Sequence, residues 1–101
     1  MTATSDKGPL SGCKVLELGS TISGPFCARL LADFGADVIK IEPPEGDTLR
    51  SWRVKGVETA WKVYSRNKKS VALDLRSDAG RAIVRGLAKD AAILVESFRP
   101  G

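Results

Sequence analysis

Gly19 and Gly24 bracket the stretch Gly19-Ser-Thr-Ile-Ser-Gly-Pro25, directly after the apolar run Val15-Leu-Glu-Leu18. A glycine turn between a strand and a helix can hold a phosphate, through free backbone N–H groups and the positive end of the helix dipole. The Gly-x-x-x-x-Gly spacing is that of a Walker phosphate loop, which requires Lys and then Ser or Thr in the next two positions. Pro25 and Phe26 stand there instead, so the phosphate-binding charge and the magnesium hydroxyl are both missing. A dinucleotide turn needs Gly-x-Gly-x-x-Gly, and this stretch lacks the third glycine. Glu42 does lie where such folds place a ribose-binding carboxylate. On spacing alone two readings stay open: a tight helix start, or a helix N-terminus that binds an anion.

Charge adds a second hint. Residues 50–76 carry eight basic side chains against Glu58 and Asp74, a local net of +6 in a chain whose total is +4. Such a segment suits an anionic partner or a solvated loop. Trp52, Trp61 and Tyr64 form no aromatic-plus-basic RNA motif, so nucleic acid is not expected. The chain has no histidine, and Cys13 and Cys27 are not in Cys-x-x-Cys spacing. A zinc site and a His-based catalytic dyad are therefore not expected within this chain, nor is any other metal. No apolar run approaches the ~20 residues that span a bilayer, and residues 1–8 read as a polar, flexible tail without a signal core. These features point to a cytoplasmic protein with reduced thiols and no membrane partner.

The elements that would position this chemistry follow from periodicity. Cys13–Leu18 suits a short buried strand. Ser23-Gly24-Pro25 reads as a helix start, with the serine as cap and the proline in the first turn. Phe26, Leu30 and Phe34, with Leu31 beside them, make one apolar face, and Gly35 ends the helix. Asp37–Glu42 is a second strand, stopped by Pro43-Pro44. Residues 43–69 form a long connection with helical turns near Thr48–Arg53 and Ala60–Tyr64. Ser70–Leu75 is a third strand. A helix capped at Ser77-Asp78 runs to about Lys89, with Ala79, Ile83, Val84 and Leu87 inward, and Ala92–Val95 is a fourth strand. Alternating strands and helices give α/β architecture, an open, doubly wound, Rossmann-like parallel sheet. Glu96–Gly101 follow a strand with no closing helix, so the chain reads as an incomplete portion of a larger domain.

Four stretches together resemble the class III CoA-transferases, the family that includes formyl-CoA, carnitine-CoA and benzylsuccinate CoA-transferases. They are Pro9-Leu-Ser-Gly-Cys-Lys-Val-Leu-Glu-Leu18, SGPFCARLLADFGADVIKIEPPEGD (23–47), RNKKSVALDLRSDAGR (66–81) and VESFRPG (95–101). The resemblance runs in order from residue 9 to residue 101. It implies the N-terminal part of a large Rossmann-like domain in an interlocked homodimer, with no tightly bound cofactor. It implies CoA transfer from an acyl-CoA to a small carboxylic acid, through an aspartyl-CoA thioester whose aspartate lies downstream of this chain. No catalytic residue is therefore expected within residues 1–101.

Carried over by motif, the CoA contacts fall at Ile22 and Ser23, at Leu73, Asp74, Leu75 and Arg76, and at Ser97, Phe98 and Arg99. Arg76 would meet a CoA phosphate, and Phe98 would flank the adenine or the pantetheine arm. Two positions depart from the formyl-CoA transferases: Pro43 stands for an arginine, and Ser97 for an asparagine. α-Methylacyl-CoA racemases share the N-terminal pattern, and a non-catalytic CoA-binding or dimerisation remnant is the third reading.

Overall fold

The computed structural model describes residues 8–19, 22–51 and 59–98. Its elements in chain order are β1 (Lys14–Glu17), α1 (Ser23–Asp33), β2 (Asp37–Glu42), a 3-10 turn (Thr48–Ser51), α2 (Thr59–Tyr64), β3 (Lys68–Ala72), α3 (Asp78–Asp90) and β4 (Ile93–Val95). The four strands form one sheet in the order β3-β2-β1-β4, and every neighbouring pair is parallel. The order grows from β1 first to one side and then to the other, which puts the two long helices on opposite faces. Alternation along the strands bears this out. Val15 and Val38 pack with Ala28 and Ala32 of α1, whereas Leu16 and Ile39 face Leu87 of α3.

Helix α1 departs from the expected start and the expected face. Ile22 occupies the cap position and no side chain caps the helix, so Ser23 is its first residue rather than its cap. Pro25 sits in the first turn, where its missing N–H costs nothing. Gly24, Pro25, Ala28 and Ala32 are the buried residues, while Phe26, Leu30 and Phe34 are 44%, 43% and 55% exposed. The helix is apolar nearly all round, and its small side chains let it come close to the sheet. Phe26 leans edge-on against Tyr64 of α2, centroids 6.1 Å apart. Gly35, at φ +103°, turns the chain out of the helix in a conformation other residues resist.

The third strand lies earlier than periodicity suggests. Lys68 pairs with Val38 and Ala72 with Glu42, then Leu73 N–H donates to Glu42 O (2.9 Å) and the chain leaves the ladder. Leu73, Asp74 and Leu75 thus belong to the turn beyond β3 rather than to the strand. Ser77 caps α3 as expected, its Oγ accepting from Gly80 N–H at 3.0 Å. The inner face of α3 is thinner than expected: Val84 and Leu87 are half-buried, but Ala79 and Ile83 are exposed. The sheet under α3 is short there, and Leu94 of β4 is itself 50% exposed. The expected turns near 48–53 and 60–64 form as the 3-10 turn and α2, while residues 52–58 and residues 1–7 of the expected 1–8 tail lie outside the described residues.

The sheet face beneath α1 is split in two along the strands. Its amino half is aliphatic, with Val15, Val38, Ala28, Ala32 and Ala36 in one cluster. Its carboxyl half buries charge, with Glu17 at 0%, Lys40 at 1% and Glu42 at 3% exposure.

Candidate functional site

A cavity of about 280 Å³ opens at the carboxyl edge of the sheet, where open α/β sheets bind ligands. Four chain segments wall it: Leu18 and Gly19 after β1, Ile41 to Thr48 at the end of β2 and beyond, Leu73 to Arg76 after β3, and Phe98 after β4. Its volume is near the lower end for ligand pockets, so it suits one portion of an extended ligand.

The glycines of the opening turn serve packing. A Cβ on Gly24 would lie 2.9 Å from Ser97 Oγ and 3.1 Å from Gly19 Cα, and a Cβ on Gly19 would run into Ser97 as well. The two glycines let the end of β1 and the start of α1 close around the Ser97 side chain of the segment after β4.

Beneath the cavity lies an ionic cluster. Lys40 Nζ is 2.9 Å from Glu17 Oε2 and 2.7 Å from Asp47 Oδ2, and donates to Gly19 O at 3.2 Å. Lys68 Nζ is 2.7 Å from Glu17 Oε1 and donates to Pro25 O at 2.9 Å. Glu17 Oε1 and Asp47 Oδ2 accept no well-angled hydrogen bond, yet each has an ammonium 2.7 Å away and neither carboxylate is uncompensated. Two carboxylates and two ammoniums sum to zero, which is what lets them stay buried. Burial pushes the Lys68 ammonium below the usual lysine pKa, with the Glu17 carboxylate opposing that shift.

Glu42 anchors the loop after β2. The Arg50 guanidinium reaches it with Nε to Oε1 (2.7 Å) and Nη2 to Oε2 (2.8 Å), Asp47 N–H donates to Oε1 (2.8 Å), and Ser70 Oγ–H donates to Oε2. The Arg50 hydrogen bonds, backed by Ser70 and the Asp47 amide and opposed by burial, hold the Glu42 carboxyl at about 2. Arg50 also stacks over the Trp61 ring, 3.9 Å from its centroid, which couples α2 to the loop. With both oxygens engaged, Glu42 is a structural brace rather than a ribose ligand.

Of the residues singled out from sequence, Leu73, Asp74, Leu75, Arg76 and Phe98 converge on the cavity wall. Asp74 Oδ1 accepts from Arg76 N–H (2.9 Å) and its carbonyl accepts from Ser77 Oγ–H (2.8 Å), which shapes the turn after β3. The Arg76 side chain is 87% exposed and only 3.7 Å from Asp74 Oδ1, a surface pairing that holds it weakly. Phe98 is 53% exposed. Ser97 packs behind the wall against Gly19 and Gly24. Ile22 and Ser23 are exposed at the start of α1 and do not line the cavity, and Arg99 lies outside the described residues. Sequence reasoning passed over Glu17, Lys40, Asp47 and Lys68. For Glu17 and Lys40 the available signal was charge inside strands expected to be covered on both faces, where an unpaired charge is not tolerated; Asp47 and Lys68 lay in the expected connection and gave none.

The family model for CoA-transferase family III matches residues 10–101, nearly the whole chain. The chain belongs to CoA-transferase family III. Among members of the family, it is 52% identical over 97 residues to the succinyl-CoA–D-citramalate CoA-transferase of Chloroflexus aurantiacus, a match covering 92% of this chain and 24% of that protein. It is 40% identical over 97 residues to the human succinyl-CoA:glutarate CoA-transferase, covering 92% and 22%. A CAIB/BAIF family protein from Brucella suis superposes with a TM-score of 0.84 at 39% identity, covering 91% of this chain and 26% of that one. The chain thus spans about a quarter of the length of the family III relatives it matches. The α/β parallel sheet expected from sequence forms, and it superposes on the matched part of the Brucella suis protein.

Proposed function

We propose that the protein acts as an acyl-CoA:carboxylate CoA-transferase, with residues 1–101 supplying one part of the coenzyme A site. The observation that carries this reading is the cavity at the carboxyl edge of the sheet. All four of the stretches that resemble CoA-transferases reach it at once: Leu18 after β1, Ile41 to Asp47 at the end of β2 and beyond, Leu73 to Arg76 after β3, and Phe98 after β4. Arg76 stands at that edge with its guanidinium in solvent, where it can meet a phosphate without first breaking a strong ion pair. Phe98 offers an exposed ring to a flat or aliphatic part of the ligand. Ile22, Ser23, Leu73, Asp74, Leu75, Ser97 and Arg99 complete the proposed contact set. Relatives named for succinyl-CoA favour a dicarboxylic acyl donor and a transferase over a racemase.

In the proposed reaction an aspartate outside this chain attacks the acyl-CoA carbonyl, the C–S bond breaks, and the thiolate leaves a mixed anhydride. The thiolate then attacks the aspartyl carbonyl and releases the first acid as its carboxylate, giving the aspartyl-CoA thioester. The acceptor carboxylate repeats these steps in reverse. The residues of this chain bind and orient the coenzyme and transfer no proton. The full-length enzyme is proposed to be a cytoplasmic homodimer.

The test is transfer from succinyl-CoA to a panel of small carboxylic acids by the full-length protein. Arg76→Ala is expected to raise KM for the CoA donor about tenfold, the equivalent of one charge-assisted phosphate contact, with little change in kcat. Absence of transfer to every acid, or an unchanged KM in the variant, would overturn the reading.

A further inference from the structure

Two buried ammoniums grip both ends of the opening turn. Lys40 donates to Gly19 O, where β1 runs out, and Lys68 donates to Pro25 O, in the first turn of α1. One carboxylate, Glu17, bridges the two lysines through its two oxygens. Lys40 reaches a second wall of the cavity as well, through Asp47 Oδ2 at 2.7 Å. Asp47 in turn shapes the loop beyond β2: its Oδ1 accepts from Leu49 N–H at 2.9 Å, and its carbonyl accepts from Arg50 N–H at 3.0 Å.

We infer that Lys40 is a positioning residue for the ligand of this cavity, setting the distance between the Gly19 wall and the Asp47 wall from below. Lys40 does not line the cavity, whereas Gly19 and Asp47 both do. Stability alone does not account for the cluster, because a neutral set of buried ions is often no better than well-packed apolar side chains of the same size. What the ions add is direction. A lysine with three donors aimed at Glu17, Gly19 and Asp47 fixes two backbone segments at one spacing, which an aliphatic side chain cannot do. A preorganised wall lowers the ordering cost of binding. This inference rests on the proposed coenzyme A reading for the identity of the ligand.

The experiment compares the full-length protein with Lys40→Met/Asp47→Asn, a pair that removes one buried charge of each sign and leaves Glu17 with Lys68. Asp47→Asn keeps Oδ1 as acceptor for Leu49. Three quantities are measured: the thermal midpoint, CoA affinity by calorimetry, and amide exchange at Gly46, Leu49 and Arg50. A positioning role requires a midpoint within about 3 °C of wild type, CoA affinity about tenfold weaker, and about tenfold faster exchange at those amides. Wild-type affinity or unchanged exchange overturns it, and so does a variant that fails to fold, which assigns the cluster to stability. If the wild-type protein binds no CoA, the functional reading falls, and the exchange rates still decide whether Lys40 sets the walls.

Discussion

At Glu42 the carboxyl is held at about 2, against an ordinary 4.5, chiefly by the Arg50 guanidinium. The folded value is depressed, so the stabilisation is complete above pH 4.5 and is lost as pH falls toward 2. A shift of this size corresponds to at most about 3 kcal/mol, and the half-exposed Arg50 reduces it to about 1–2 kcal/mol. Denaturant midpoints at pH 7 and pH 3 should show wild type losing more stability on acidification than Glu42→Gln, and equal losses would sink the assignment. Sequence showed Glu42 as an acidic residue at a strand end, where a dinucleotide fold would place its ribose-binding carboxylate. Its partners, Arg50 eight residues on and Ser70 in another strand, come together only when the loop folds back over β2.

At the element scale the readable parts were those set by local rules. Ser77 caps α3 as its type and place suggest, and Ser77→Ala should cost about 1 kcal/mol, read as a lower denaturant midpoint with unchanged m-value. A variant as stable as wild type would mean that another group satisfies the Gly80 amide. The start of β3 was misread because Lys68 and Lys69 look like loop residues. In the sheet, Lys68 reaches the Glu17 carboxylate from an adjoining part of the same face, which no local pattern encodes. The α1 stripe was misread for a related reason. Helix α1 carries a bulky apolar stripe and a stripe of small residues, apolar character alone does not say which of the two the sheet takes, and the small side takes it here.

At the scale of the whole molecule, Phe26, Leu30 and Phe34 of α1 are left about half exposed, and across the sheet so are Ile83 and Leu94. Exposed apolar surface of this extent drives association. Residues 1–101 alone should sediment as a concentration-dependent mixture, and Phe26→Gln/Leu30→Gln should shift it toward monomer. A single monomeric species for the unsubstituted chain would contradict this. The alternation of strand and helix dictated the parallel sheet by itself, because two parallel neighbours need a crossover and a right-handed crossover leaves few arrangements. The four stretches indicated the family by resemblance, and Leu73 to Arg76 and Phe98 stand at the sheet edge. Tertiary structure alone decided what lies beneath that edge. Glu17, Lys40, Asp47 and Lys68 are far apart or unremarkable along the chain, and their burial is tolerable only because register and loop closure bring opposite charges within 2.9 Å.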